Sequence, residues 1–295
     1  MKQYLKLLRV EQWVKNLFVF VPLFFAGKFT QTDLLLKSIV AFIVFSLAAS
    51  VVYILNDYND IEADRKHPEK RRRPLASGAI SKKRALVILG ILVLVNIAFT
   101  LGSQMYFHDS IWKFAGIILT YFVMNLAYTF KLKHVPIIDI FIIATGFVLR
   151  VQAGGSITGI DISQWAVLLT FVLALVLAIG KRRGELINAQ VSGKTRKALD
   201  GYNVQFADIA LSISVTLAIL CYLMFTLSPE VQQRFHEGVF YTVIFVVFAF
   251  LRYLQQTLVY NRTESPTKIV YRDRYIQVTL FLWVIAFLIQ IYFKK

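Results

Sequence analysis

The chain is short of cysteine, proline and acid. A single Cys221 among 295 residues excludes a disulfide framework or a thiolate metal site, and its place in an apolar run makes it a small packing residue. Six prolines and no Pro-, Gly- or Ser-rich stretch leave no linker, so residues 1–295 read as a single domain. His67, His108, His134 and His236 lack metal-ligand spacing, which argues against imidazole-based metal chemistry. No compact apolar N-terminal stretch with a small-residue cleavage site is present, so no cleavable signal peptide is expected. Acids number 17 against 33 Lys and Arg, but the cations are spread over short segments between apolar runs. With no separate basic domain, nucleic-acid binding is not expected, and the net charge of +16 fits membrane topology and anionic substrates.

Apolar residues, by contrast, make up 57% of the chain, with 25 Phe and a mean hydropathy of +0.61, more than a water-facing fold needs. Apolar runs at residues 15–30, 34–55, 84–103, 112–130, 136–153, 163–180, 207–227, 238–257 and 276–293 each approach the ~20 residues that cross a bilayer. The sequence therefore predicts an all-α polytopic membrane protein of nine transmembrane helices. With alternate loops on alternate sides, the cations of one side are only Lys28, Lys37, Lys113, Arg234, Lys294 and Lys295, and Arg150 lies within a span. The other side holds all the rest. The positive-inside rule then puts the N terminus in the cytoplasm, in a multi-pass protein of the inner (plasma) membrane.

Where the second run ends, the chain reads Asn56-Asp57-Tyr58-Asn59-Asp60-Ile61-Glu62-Ala63-Asp64. At about 100° per residue, Asn56, Asp57, Asp60 and Asp64 share a ~100° arc of a helix. Hard oxygen ligands without His or Cys suit Mg²⁺, which is usually completed by water and substrate phosphates. The face thus predicts a magnesium-dependent enzyme acting on a phosphorylated substrate, with its site open to the cytoplasm. The plain alternative is a solvated loop in which the acids pair with Arg65, Lys66 and the run Lys70 to Arg73. Cations cluster on the same side: Lys15 and Asn16 entering the first span, Arg71 and Arg73 after the acids, Tyr128 and Lys133 after the fourth span, and Lys181-Arg182-Arg183-Gly184-Glu185 after the sixth. Forked guanidinium groups and ammonium groups beside a metal face make a cradle for phosphates. A plain i,i+4 ion pair between Lys181 and Glu185 competes with that reading. Arg150, inside the fifth span, must pair, line a wet cavity or snorkel outward. Arg252, Asp273 and Arg274 either orient a substrate or pair with one another.

Nine helices with an Asn-Asp-x-x-Asp-x-x-x-Asp motif after the second resemble the UbiA superfamily of intramembrane prenyltransferases. The resemblance covers essentially the whole chain. It rests on Gln12-Trp13-x-Lys15-Asn16, on the acidic run with His67-Pro68 and Lys70-Arg71-x-Arg73-Pro74, on Tyr128-x-x-x-Leu132-Lys133, on Asp139 through Arg150, and on Lys181-Arg182-x-x-Glu185-Leu186. It implies a UbiA-type helical bundle, with Asn56, Asp57, Asp60 and Asp64 as metal-holding catalytic residues. It also implies that Lys15, Arg71, Arg73, Tyr128, Lys133, Lys181, Arg182 and Glu185 bind substrate. Ordinary members carry a second Asp-x-x-x-Asp motif after the sixth helix, where this chain has cations. That departure is similar to the phosphoribosyl-transferring branch, and implies phosphoribosyl diphosphate as donor and a polyprenyl phosphate lipid as acceptor. Two readings stay open beside it: transfer of an isoprenoid to an aromatic acceptor, and a non-catalytic carrier of anionic lipid.

Overall fold

Apolar runs with few interior breakers fold as helices, because a backbone surrounded by lipid must satisfy its own hydrogen bonds. In the computed structural model, which describes residues 2–67, 69–106, 111–192, 197–235, 237–262, 269 and 272–292, no strand occurs among the described residues. Pro68, His108 and His236 lie outside them. In chain order the α-helices are α1 (Lys2–Leu8), α2 (Val21–Phe25), α3 (Thr32–Asn59), α4 (Ile61–Lys66), α5 (Lys82–Tyr106), α6 (Ile111–Phe130) and α7 (Ile138–Thr158). They continue with α8 (Gln164–Ser192), α9 (Val204–Leu227), α10 (Pro229–Phe235), α11 (Val243–Leu254) and α12 (Arg274–Tyr292).

Among the described residues eight helical segments are long and apolar enough to cross a membrane. They are α3, α5 to α9, α12 and the segment Glu237–Val259 that contains α11. The chain is a multi-pass membrane protein. The run expected as the first span takes another form: a 3₁₀ helix over Val10–Phe20 that continues into α2. With a rise of about 2.0 Å per residue in the 3₁₀ part, the two together reach about 30 Å, close to the thickness of a hydrocarbon core.

The chain divides into two compact units, Met1–Lys133 with Gly146–Ile162 and His134–Thr145 with Ser163–Lys295. In the first, α3 carries buried Ala41, Ser46, Ala48, Ala49 and Ser50, small residues that let other backbones approach. Val19, Phe45, Phe114, Tyr121 and Ala153 pack with it. A Cβ on Gly154 would lie 1.9 Å from the Val19 carbonyl oxygen, so the 3₁₀ backbone rests directly on α7. Asn16 fixes the same segment from both sides: it donates to Ser46 Oγ (2.9 Å) and accepts from Arg150 Nε (2.7 Å). Arg150 does not snorkel. It is 6% exposed, donates to the Gly146 carbonyl (2.7 Å), and has the rings of Phe45, Tyr121 and Phe147 within 5.3 Å of its guanidinium carbon, contacts that offset the cost of burying its charge.

The loop after α4 folds back rather than projecting into water. Leu75, Ile80 and Ala85 are buried with Leu7, Ile54 and Ile61, and Ser81 Oγ caps the start of α5 by accepting from the Arg84 amide (3.3 Å).

In the second unit, Tyr222 Oη accepts from Trp283 Nε1 (2.7 Å), and Phe235 packs edge-on against Phe287. A π-helical turn over Gln255–Val259 ends the α11 segment. Buried Arg183 holds it, donating to the Thr257 carbonyl (2.7 Å) and to Asn261 Oδ1 (3.0 Å), and pairing with Asp208. Arg252 and Asp273 pair with each other at 2.9 Å. Burial alone would raise the Asp273 carboxyl pKa, but hydrogen bonds from Arg252 and the Ile276 amide outweigh it and hold the group below its ordinary value.

Candidate active site

The acidic run spans a break in the helix. Asn56 and Asp57 end α3, Asp60 takes a non-helical conformation (φ −100°, ψ 11°), and Asp64 lies in α4. The register survives, because the Asp60 amide donates to the Asn56 carbonyl (3.0 Å) and the Asp64 amide to the Asp60 carbonyl (2.8 Å). Asn56, Asp60 and Asp64 therefore stay one turn apart. Asp57 is 1% and Asp64 3% exposed, so each charge requires a partner.

The partners are cations from distant parts of the first unit. Arg73 Nη1 touches two carboxylates at once, Asp57 Oδ1 at 3.1 Å and Asp64 Oδ2 at 2.6 Å. Arg9 pairs with the same Asp57 oxygen, its guanidinium over the Tyr53 ring at 4.8 Å. Buried Lys133 donates to Asp60 Oδ1 at 2.6 Å. Thr129 Oγ1 donates to Asn56 Oδ1 at 2.6 Å. Three carboxylates thus face three cations. Lys15 is half-buried and within electrostatic reach of Arg9 and Arg150. Arg71 is exposed and Tyr128 half-buried.

His67 shapes the turn that leads to Arg71 and Arg73. Its Nδ1 accepts from the amides of Glu69 (3.2 Å) and Lys70 (3.4 Å), which requires the neutral ring. Partial burial and then the Lys70 charge lower its pKa from the ordinary 6.5.

In the second unit, residues of α8 meet the start of α7. Arg182, 2% exposed, donates from Nε to Asp139 Oδ2 (2.7 Å) and pairs through Nη1 with Glu185. Tyr202 Oη donates to Asp139 Oδ1 (2.8 Å) and accepts from the Ile137 amide (2.6 Å). Burial pushes the Tyr202 hydroxyl pKa well up, with Asp139 adding to the rise, so it stays a donor. Lys181 is exposed and 3.9 Å from Glu185. The Lys181–Glu185 ion pair that competes with phosphate binding is therefore loose, and the tight partner of Glu185 is Arg182.

Arg9, Thr129 and Tyr202 are the residues that sequence reasoning did not single out. Arg9 has one local mark, a left-handed backbone (φ 49°), which only the structure reveals. The donor set itself suits magnesium. All its ligand atoms are hard oxygens, and the bridging Arg73 nitrogen shows that one cation reaches both Asp57 and Asp64. No trio of His, Cys, Asp or Glu converges closely enough to hold a metal among the described residues. A magnesium ion here would rest on two carboxylates and take its other ligands from water and substrate phosphate, its usual habit.

An all-helical membrane bundle with an acidic face at the end of its second long apolar run defines a class, and comparison with known proteins gives the same class. Residues 16–285 match the model of the UbiA prenyltransferase family, and the chain belongs to that family. Among curated proteins it is similar to decaprenyl-phosphate phosphoribosyltransferases. That of Mycolicibacterium smegmatis is 33% identical over 98% of this chain and 92% of its own length. That of Corynebacterium glutamicum is 34% identical over 98% and 86%. Among solved structures, a UbiA homologue from Archaeoglobus fulgidus bound to DMAPP and Mg²⁺ has a TM-score of 0.68 at 18% identity, covering 98% of this chain and 99% of that one. At that identity the likeness shows the fold.

Proposed function

We propose that this protein transfers the 5-phosphoribosyl group from phosphoribosyl diphosphate to the phosphate of a decaprenyl-like polyprenyl lipid, releasing diphosphate, at the cytoplasmic face of the plasma membrane. The bond from ribose C1 to the diphosphate oxygen breaks, and one from C1 to an acceptor phosphate oxygen forms. The acceptor is already an anion at neutral pH, so no strong general base is required. Bound magnesium supplies charge stabilisation for the departing diphosphate. Asp57 and Asp64 would hold that ion, and Asn56 and Asp60 on the same face would orient the leaving group. Arg71, Arg73, Lys133, Lys15 and Lys181 contribute positive charge for the phosphates, and Tyr128 helps to position them. Arg182, deeply buried, acts through Asp139 and Glu185 as a positioning residue. Residues 1–295 serve together as one UbiA-type domain.

The observation that carries the reading is the chemistry after the sixth span. An isoprenoid-transferring member would need an acid pair there for a second ion. Here Glu185, and with it Asp139 of α7, is engaged by Arg182, and Lys181 lies 3.9 Å from Glu185, so two cations already match the two acids and leave little for a second metal ion. Full-length similarity to proteins named decaprenyl-phosphate phosphoribosyltransferase supports the same choice.

The test is a competition of substrates on detergent-purified protein with Mg²⁺. Phosphoribosyl diphosphate with polyprenyl phosphate is expected to give a phosphoribosyl lipid that disappears with EDTA. Prenylation of an aromatic acid from a prenyl diphosphate would replace this proposal, and silence in both assays would favour an anionic-lipid carrier.

A further inference from the structure

The acidic face is stored electrically neutral, and its cations are held in different ways. Arg9 is pinned, with its guanidinium over Tyr53 and its backbone in a left-handed turn. Lys133 is buried on Asp60. Arg73 is held on the carboxylates only by its head group, which bridges Asp57 and Asp64 from a side chain 28% exposed. The backbone beneath it is fixed: Pro74 restricts Arg73 to an extended conformation (φ −65°, ψ 145°), and Leu75, Ala76 and Ile80 are buried just after it. Any change at Arg73 is therefore a swing of the side chain about a fixed anchor.

We infer that Arg73 is a built-in stand-in for the divalent ion, occupying the position between Asp57 and Asp64 until donor and metal arrive together, then moving its charge onto a phosphate of the donor. This rests on the proposed function and adds an order to it. While Arg73 bridges the acids, a metal alone must compete with a positive charge already in place. A phosphorylated donor gives the guanidinium another anion to pair with, so displacement of Arg73 and binding of the donor assist each other. Metal and donor are then coupled through Arg73, and the coupling is reciprocal.

The experiment is a titration of purified protein with Mn²⁺ as the probe, followed by electron paramagnetic resonance, with and without phosphoribosyl diphosphate. Arg73→Gln is expected to bind Mn²⁺ alone about tenfold more tightly than the parent, the size of effect expected for a coupling of ordinary strength, and to lose a similar factor from the enhancement that the donor produces. Arg72→Gln, which removes the same charge from an exposed neighbour, is expected to leave Mn²⁺ affinity unchanged. If Arg73→Gln does not fold, Arg73→Lys, which keeps the charge but not the forked head, should show an intermediate tightening. Equal or weaker binding of Mn²⁺ alone by the Arg73 variant overturns the inference while leaving the proposed function standing. Failure of the parent protein to bind Mn²⁺ even with donor overturns both.

Discussion

Replacing Arg182 by alanine leaves Asp139 at the start of α7 without its ionic partner. Asp139 is 0% exposed and accepts from Arg182 Nε at 2.7 Å and from Tyr202 Oη at 2.8 Å. Removing one member of a buried ion pair costs about 3–5 kcal/mol, because the remaining charge stays buried and uncompensated. Tyr202 continues to donate, which places the expected loss near the low end, about 3 kcal/mol. At about 2–4 °C per kcal/mol for a chain of this size, the melting temperature should fall by about 6–12 °C. The assay is thermal unfolding in detergent, read by tryptophan fluorescence. The double variant Arg182→Met with Asp139→Leu removes both charges and should recover about one to two thirds of the loss, to within about 1–2 kcal/mol of the parent. If the double variant falls as far as the single one, the buried pair is not what the single variant loses, and the positioning role assigned to Arg182 fails with it.

Gly154→Ala is expected to destabilise strongly, by about 2 kcal/mol or more, because its Cβ would meet the Val19 carbonyl at 1.9 Å and overpacking against backbone is costly. Gly90→Ala in α5, where nothing lies within 4 Å of the added atom, should be neutral or stabilising by up to about 1 kcal/mol. Thermal unfolding of the pair checks both signs. The lowered pKa of His67 gives a stability contribution that is full above the unfolded value of 6.5 and declines as pH falls through it toward the folded value. Once the intrinsic base-catalysed rate is divided out, the amide protection factors of residues 69–72 should therefore fall between pH 7 and pH 5, and pH-independent protection would show that the His67 acceptor does not hold this turn. Tyr202→Phe removes a hydrogen bond to a buried carboxylate and should cost about 1.5–3 kcal/mol, measured by the same unfolding assay.

The parts of this structure that were legible in the sequence are those governed by local composition. The long helices follow from hydropathy, and the Asn56 to Asp64 register follows from spacing even though the helix breaks at Asp60. The first segment was not legible in form. Its 3₁₀ conformation is held by Gly154, Ser46 and Arg150, all far along the chain. The cations were legible as a group and not as individuals. Lys133 and Arg73 read as phosphate ligands, and the structure adds that each is paired with a carboxylate, Lys133 with Asp60 across 73 residues of sequence. Arg9 looked like an ordinary positive-inside residue, since its partner Asp57 lies 48 residues away. Asp139 and Tyr202 are joined only by the packing of a loop against α7, and no periodicity encodes that.

Pentosyl transfer at the acidic face can be followed by where the atoms of the donor go. Phosphoribosyl diphosphate labelled separately in the ribose and in the β-phosphate is incubated with purified protein, Mg²⁺ and polyprenyl phosphate, and the lipid and aqueous fractions are counted. Ribose label is expected in the lipid and β-phosphate label in free diphosphate, in equal amounts, with loss of both in Asp60→Ala. β-Phosphate label in the lipid, or undiminished transfer by the Asp60 variant, would contradict pentosyl transfer at this face.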